Sequence, residues 1–316
     1  MPRIDMHAHT VPGPYLAELR RLGEEPVGQL PPATVEVLSE AMERGGVDAA
    51  VVSLSPPGVW FGDAGLAREL SRMVNEEHAK MVRAEPARFA ALATLPFPDL
   101  EGSLAEISYA LDELGLDGVA LHSNVDGVYL TDPGLEPLFA ELDRRGAYAF
   151  LHPNFSPLPS PRPDVPPWVV EFPFDTTRAL VDLIYSGTLE KYPNIRLQVA
   201  HMGGAAPFLA DRIASWAGRE PARAEAAPAG AREYLRRLHY DTGLANNTIA
   251  LAAVRELAGL DRVVFGTDWP FLPEAPEVDL TAGLRLEPTE LARVGLANAA
   301  ALVPRLAAEH GHGHGR

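Results

Sequence analysis

Residues 118–152 read GVALHSNVDGVYLTDPGLEPLFAELDRRGAYAFLH, and this stretch shows the pattern that decides the fold class. A short apolar run, Gly118–His122, and a second, Tyr148–His152, enclose an amphipathic, helix-like segment, Leu135–Arg145. Near-continuous apolar runs are typical of strands that are buried on both faces, as in parallel sheets. A strand, a helix and a strand in this order therefore predict one βαβ unit.

The same alternation of strand and helix extends along nearly the whole chain. Six further apolar runs are Arg3–Met6, Asp48–Leu54, Phe89–Leu95, Ile195–His201, Leu238–Thr242 and Val263–Thr267. The other helix-like segments are Thr34–Arg44, Ala64–Ala84, Gly102–Leu114, Thr176–Glu190, Ala206–Trp216 and Asn247–Ala258, with an eighth within Glu287–Ala308. Eight βα units in 316 residues predict an α/β fold, the (β/α)₈ TIM barrel. A doubly wound open sheet is the alternative, but the Gly-x-Gly-x-x-Gly turn of dinucleotide-binding sheets does not follow the first strand.

One domain over residues 1–308 accounts for this pattern, with one insertion and a tail. Residues 156–173 are rich in proline, which excludes a helix interior or a central strand. This insertion follows the fifth strand, so we expect it on the face of the barrel where active sites occur. Residues 309–316 form a His- and Gly-rich tail of low complexity, which we predict to be disordered.

The composition restricts the class of protein and its partners. Hydrophobic residues make up 47% and charged residues 22% of the chain, as is ordinary for a globular protein. The sequence shows neither a leader nor an apolar run of membrane-spanning length, so we predict a cytoplasmic location. The net charge of −16 disfavours nucleic acid and anionic membranes as partners, and a small anionic ligand would need a local cation. Because cysteine is absent, a metal must be bound by His, Asp, Glu or backbone oxygen.

Five polar side chains close predicted strands. His7 and His9 end the first strand, and the others are His152 on the fifth, His201 on the sixth and Asp268 on the eighth. Residues two apart on a strand share a face, so His7 and His9 can reach one ion. The carboxyl ends of barrel strands converge on one mouth, where the active sites of this fold lie. Three imidazoles and one carboxylate suit a divalent metal ion and leave room for water or substrate.

Seven motifs give the chain a family resemblance. They are Ile4–His9, Leu151–Pro153, Trp168–Val170, Leu189–Pro193, Val199–Pro207, Tyr240–Thr242 and Phe265–Phe271. With these motifs in this order, the sequence resembles the amidohydrolase superfamily. Within it, the sequence is similar to the branch that contains aminocarboxymuconate semialdehyde decarboxylase and the aromatic acid decarboxylases. Residues 49–62 also look like members labelled 6-methylsalicylate decarboxylase.

The resemblance implies a metal site and a proton-transfer group. The implied ligands of a single ion, usually zinc and sometimes manganese, are His7, His9, His152 and Asp268. His201 would act beside the ion as a base or polariser, and Asp268 would also take part in catalysis by passing a proton with its second oxygen. The fourth strand, Gly118–His122, lacks the lysine that bridges two ions in other members, which favours one ion.

The resemblance also indicates how substrate could be held. Trp168 matches an aromatic residue of the family's pocket. Arg212 matches an arginine that reaches into the site of a neighbouring subunit, which implies a homodimer. His122 is a further candidate for substrate contact, because it ends the fourth strand and can face the mouth of the barrel.

The predicted reaction is the non-oxidative decarboxylation of a small hydroxylated aromatic acid of the salicylate type, or of a dienoic acid. Hydrolysis of a lactone or cyclic amide by a metal-bound hydroxide is the alternative, since it would use the same residues. A protein that stores metal without catalysis is the third possibility. Val35, Val37 and Leu38 stand in the segment where the muconate enzyme has a carboxylate-binding arginine, which favours an aromatic ring over a second carboxylate.

Overall fold

Eight parallel strands form the centre of the protein. A computed structural model describes residues 2–23, 33–158, 160, 162, 164–271 and 282–311. The strands are β1 (Ile4–His9), β2 (Ala49–Ser53), β3 (Phe89–Thr94), β4 (Gly118–His122), β5 (Tyr148–His152), β6 (Arg196–Val199), β7 (His239–Asp241) and β8 (Val263–Val264). Each strand pairs in parallel with the next one along the chain. A separate hairpin, Asn124–Val125 with Val128–Tyr129, follows β4.

Contacts between β1 and the segment after β8 close the sheet into a barrel. The backbone N–H of Asp268 donates to the carbonyl of His7 at 2.8 Å. Ala8 and Trp269 form a parallel bridge one residue further along both segments. The predicted (β/α)₈ TIM barrel is therefore confirmed, because each apolar run contains one strand of a closed parallel sheet.

Helices connect the strands and cover the outside of the barrel. They are α1 (Gly13–Leu22), α2 (Val35–Gly45), α3 (Ala64–Ala84), α4 (Leu100–Ser108), α5 (Glu136–Arg145), α6 (Glu171–Tyr185), α7 (Thr188–Lys191), α8 (Ala210–Ala217), α9 (Pro221–Ala226), α10 (Ala231–Arg237), α11 (Thr248–Ala258), α12 (Pro288–Gly295) and α13 (Pro304–Gly311). The side chains of Asp63, Asp99 and Asn247 cap α3, α4 and α11 by accepting backbone N–H groups of the first turn. In the described ranges, no helix combines the length and the apolar character that a membrane span requires.

Apolar side chains fill the amino-terminal end of the barrel. Ile4, Met6 and Phe150 belong to one buried cluster together with Leu302 and Leu306 from the C-terminal part of the chain. A second, larger cluster contains side chains of the strands and the helices that pack on them. The histidines that end strands, such as His9, His122 and His152, lie at the opposite, carboxyl-terminal end, which is the functional face of this fold.

The structure differs from the sequence prediction at the insertion and at the tail. Helix α6 begins at Glu171, so the last three residues of the predicted insertion 156–173 are helical. Pro173 lies in the first helical turn, where a missing backbone N–H removes no helical hydrogen bond. Helix α13 runs to Gly311 and so includes residues 309–311 of the predicted tail. Residues 159, 161 and 163 of the insertion and 312–316 of the tail lie outside the described residues.

Candidate metal centre

An irregularity in β1 turns both of its histidines toward the barrel interior. Ile4 and Met6 belong to the cluster inside the sheet, whereas Ala8 belongs to the cluster outside it. The register of β1 against β2 shifts in the middle of the strand, as at a β-bulge. The inward face therefore changes from even-numbered to odd-numbered residues, and His7 and His9 share it.

Four of the five predicted polar side chains bring one ligand atom each to a common point. The ligand atoms of His7, His9, His152 and Asp268 lie within 4.8 Å of one another, and all four residues are buried. Nε2 of His7 and Nε2 of His9 are 3.1 Å apart, and each is 3.0 Å from Oδ1 of Asp268. The barrel thus assembles this cluster, which we call the metal-binding cluster, from β1, β5 and the segment after β8.

The outer nitrogen of each imidazole already has a partner. The Nδ1 atoms of His7, His9 and His152 contact, in that order, the Asp241 carboxylate at 3.1 Å, the Ser53 hydroxyl at 3.2 Å and the Pro153 carbonyl at 2.7 Å. Because a carboxylate and a carbonyl only accept, His7 and His152 carry a proton on Nδ1, which leaves Nε2 as the ring atom available to a metal ion. Nε2 of His152 is buried without a hydrogen-bond partner in the described structure. Lone pairs that converge in this way fit a metal cation.

Buried charges give the metal-binding cluster a strong local field. Burial lowers the pKa of His7, but the carboxylates of Asp241 and Asp268 outweigh it and raise that pKa to about 10. Burial raises the pKa of Asp268, but His7 and His201 outweigh it and hold that pKa well below its usual range. Asp268 therefore stays ionised, and a metal cation would compete with a proton for His7.

Asp241 connects the metal-binding cluster to the backbone that carries His201. Its Oδ1 accepts hydrogen bonds from Nδ1 of His7 and from the backbone N–H groups of His201 at 3.1 Å and Gly243 at 3.0 Å. Its Oδ2 accepts a hydrogen bond from Nε2 of Gln198 at 2.8 Å. One carboxylate therefore orients a ligand ring and also fixes the position of His201.

His201 lies beside the metal-binding cluster. It begins a tight turn, His201–Gly203, one residue after the end of β6, and both His201 and Met202 have positive φ in this turn. Its Nε2 is 3.2 Å from Oδ2 of Asp268, whereas Oδ1 of the same carboxylate faces His7 and His9. Asp268 therefore contacts the rings of His7 and His9 through one carboxylate oxygen and the ring of His201 through the other.

The three residues predicted to contact substrate lie at different places. His122 ends β4, and its ring centroid is 6.3 Å from that of His152. Trp168 is 52% exposed and precedes α6, so it lies on the surface of a single chain. Arg212 is exposed on α8. The structure therefore brings His122 close to the metal-binding cluster and leaves the other two residues outside that buried group.

Other residues around the cluster were not identified from the sequence. The rings of Phe172 and Phe271 lie 6.4 Å from His152 and 5.7 Å from His9, between centroids. Asp5 is buried, accepts the backbone N–H of His7, and has its pKa raised by burial to about 6. In the sequence, the feature that could have identified Asp5 and Gln198 is the presence of a polar residue within an otherwise apolar strand.

Known proteins resemble this chain over most of its length. A family model described as amidohydrolase matches residues 4–305. The 6-methylsalicylic acid decarboxylase of Penicillium expansum is 32% identical, and the match covers 86% of this chain and 86% of that protein. The 2-amino-3-carboxymuconate-6-semialdehyde decarboxylase of Dictyostelium discoideum is 34% identical, and the match covers 75% of this chain and 66% of that protein. The crystal structure of 5-carboxyvanillate decarboxylase from Sphingomonas paucimobilis has a TM-score of 0.81 at 25% identity and covers 96% of this chain and 99% of its own. The resemblance that the motifs indicated is confirmed, and the chain belongs to the amidohydrolase family.

Proposed function

We propose that this protein is a metal-dependent decarboxylase of a small hydroxylated aromatic acid of the salicylate type. The observation that carries the proposal is the position of Asp268, whose Oδ1 faces His7 and His9 and whose Oδ2 is 3.2 Å from Nε2 of His201. One carboxylate therefore joins a metal-binding cluster to a proton-exchanging imidazole. The relative that is named for the decarboxylation of 6-methylsalicylic acid supports the same class of reaction.

His7, His9, His152 and Asp268 would hold one divalent ion. Imidazole and carboxylate are ligands that zinc binds well and that manganese also accepts, so zinc is the first candidate and manganese the second. Once bound, the ion would supply a Lewis-acidic centre that polarises the carboxylate and hydroxyl oxygens of an aromatic acid.

An anionic substrate needs a local attraction to bind to this acidic protein. The chain has 43 acidic residues against 27 Lys and Arg, so its overall field repels anions. The metal-binding cluster lies in the barrel mouth, where the rings of Phe172 and Phe271 and the imidazole of His122 surround it. These flat side chains would contact the ring of an aromatic acid while its polar edge points at the cluster.

Asp268 and His201 would move the proton that the reaction requires. The imidazolium form of His201 would give its Nε2 proton to Oδ2 of Asp268, Asp268 would pass it to the ring carbon that bears the carboxylate, and the neutral imidazole would regain a proton from solvent. The new C–H bond interrupts the aromaticity of the ring. The bond to the carboxyl carbon then breaks, CO₂ leaves, and the electron pair of that bond returns to the ring. No electrons are gained or lost, so the reaction needs neither an oxidant nor a reductant.

Turnover in D₂O tests the reaction directly. With the metal-loaded protein and a panel of hydroxybenzoates that includes 6-methylsalicylate, we expect release of CO₂ and one deuterium at the former carboxyl carbon. A parallel panel of lactones and cyclic amides is followed for ring opening. Ring opening without CO₂ release from any acid would contradict the proposal and favour a metal-dependent hydrolase.

The proposal includes a homodimer in which Arg212 reaches the partner's site. Arg212 is exposed on α8, and two exposed aromatic residues, Phe208 at 83% and Trp216 at 43%, lie four positions before and after it. Exposed aromatic side chains beside a cation are typical of protein interfaces. Trp168, on the segment before α6, would form part of the wall above the mouth.

Mixing two inactive variants tests the contribution of Arg212 across the dimer. Each composite site takes His201 from one subunit and Arg212 from the other, so Arg212→Ala and His201→Ala remove groups that different subunits supply. In an equimolar mixture of exchanging dimers, about half are mixed, and one of the two sites in each mixed dimer is intact, so about a quarter of the activity returns. Activity that stays absent after subunit exchange, or full activity in a monomer, would contradict the assignment.

A further inference from the structure

A cavity of about 260 Å³ lies at the amino-terminal ends of β6, β7 and β8. Arg196 begins β6, His239 begins β7, and Arg262 immediately precedes β8, so these three residues line the end of the barrel opposite the metal-binding cluster. Among the described residues of its wall there is no Asp or Glu, although the chain has 43 acidic residues. We call it the basal cavity.

The ring of His239 has a donor for which the basal cavity provides no acceptor in the described structure. Nε2 of His239 is 3.3 Å from Nη1 of Arg262. A guanidinium can only donate, so Nε2 accepts and the imidazole proton is on Nδ1. His239 is only 4% exposed, and its Nδ1 is buried with no partner in the part of the chain that the structure describes. A buried N–H without an acceptor is destabilising, so an acceptor in the cavity would be favourable.

Two half-buried arginines of the wall, Arg196 and Arg262, have no carboxylate partner among the residues that the structure describes. The contacts of Arg196 are to the backbone carbonyls of Gly146, Ala301 and Leu302. The described contact of Arg262 is the one to His239, which is neutral in this geometry. Arg237, the third arginine of the wall, is already paired with Glu233 at 3.2 Å. The basal cavity therefore presents two uncompensated cations and one unused donor, which together suit an anion.

The other side of the basal cavity is apolar. Leu121, Phe139, Leu183 and Leu189 contribute to its lining. Its volume of about 260 Å³ is slightly below the range for small-molecule sites, which is roughly 300–1,000 Å³, so it suits a small ligand. We propose that the basal cavity is a second binding site, separate from the metal-binding cluster, for a small organic anion that carries a carboxylate on a flat apolar body. The carboxylate accepts hydrogen bonds from Arg262 and Nδ1–H of His239, and the apolar body packs on the leucines.

Binding of 4-fluorobenzoate to the metal-loaded protein tests the proposal, with ¹⁹F NMR and calorimetry as readouts. The matched variants are Arg262→Gln and Arg236→Gln, since Arg236 is an exposed arginine of α10 outside the cavity wall. We expect Arg262→Gln to weaken one binding event at least about tenfold, because it removes a charge-assisted hydrogen bond. Arg236→Gln should leave this event unchanged. Decarboxylation should be unchanged in both variants, which separates this site from the proposed function.

Three competitor and variant measurements can overturn the proposal. Equal binding of the neutral analogue 4-fluorobenzamide would exclude an anion site, and binding of inorganic phosphate in place of the fluorobenzoate would exclude an organic ligand. Should Arg262→Gln fail to fold, Leu189→Trp fills the apolar side and should abolish the same event while the charged groups remain. Binding that neither Arg262→Gln nor Leu189→Trp alters would place the ligand elsewhere and refute the assignment.

Discussion

Replacing Asp241 by asparagine tests whether the carboxylate behind the metal-binding cluster supports metal affinity. Oδ1 of Asp241 accepts N–H groups of His7, His201 and Gly243, and Oδ2 accepts that of Gln198. The variant keeps the shape of the side chain but removes its charge and converts one acceptor into a donor. Whichever way the new amide is turned, its NH₂ group meets at least one N–H group.

Gln198 cannot relieve this conflict by turning its own amide. Its Nε2 also donates to the carbonyl of Met6 at 3.1 Å, and its Oε1 accepts the hydroxyl of Tyr148 at 2.7 Å. A buried donor without a partner costs about 1–3 kcal/mol of folding free energy. The loss of charge also makes His7 a weaker ligand. Removal of such a supporting group weakens metal affinity about 10–100-fold, which corresponds to roughly 1.4–2.8 kcal/mol.

Competition with a chelator measures the metal affinity, and urea unfolding of the metal-free protein measures folding stability. Asp175→Asn is the matched control, because Asp175 is also fully buried and accepts hydrogen bonds from Ser123, Asn124 at 2.8 Å and Tyr129 at 2.5 Å, none of which is one of the four ligands. We expect both variants to lose folding stability and only Asp241→Asn to lose metal affinity. Unchanged metal affinity in Asp241→Asn would refute the reasoning.

Three further predictions concern the proton relay, the metal content and acid stability. His201→Gln should keep the metal and lower turnover about 10²–10⁴-fold, and loss of the metal in elemental analysis would instead make His201 a ligand. Protein ending at Gly311 should bind about one divalent ion per chain in equilibrium dialysis, whereas two tightly held ions would contradict a single-ion site. Burial, Arg262 and Arg196 lower the pKa of His239 to about 4, so the folded state resists protonation. The neutral His239 contributes its full share to the free energy of unfolding above the unfolded-state pKa of about 6.5. As pH falls toward 4, the free energy of unfolding decreases by up to about 3 kcal/mol. Free energies of unfolding measured in urea at pH 7 and pH 4.5 should show this decrease in the unchanged protein and not in His239→Gln.

The barrel and the metal-binding cluster could be predicted because their signals are local. Each βα unit, such as residues 118–152, carries its own pattern of apolar run and amphipathic segment. His7, His9 and His152 each end such a run, and parallel strands of a barrel bring their ends together without further information. The chemistry of three imidazoles and a carboxylate then indicates a cation before any distance is known.

The supporting contacts could not be predicted, because they join residues that are far apart in the chain. Gln198 and Asp241 are 43 residues apart, and their hydrogen bond depends on the side-chain directions of two strands. The inward turn of His7 depends on the bulge in β1, which is seen in the pairing of β1 with β2 and not in the alternation of its sequence. The basal cavity likewise forms from the starts of three strands that share no sequence motif.

The backbone conformation links the fold to the proposed proton transfer. His201 and Asp268 both have positive φ, at +56° and +62°, in a region that costs a residue other than glycine about 1–3 kcal/mol. Each is held there by a neighbouring segment, since the N–H of His201 donates to Asp241 and the N–H of Asp268 donates to the carbonyl of His7. In these positions, Nε2 of His201 lies 3.2 Å from Oδ2 of Asp268. Both residues that we propose to exchange the proton are therefore held in a strained conformation, and the hydrogen bonds of the barrel offset that strain.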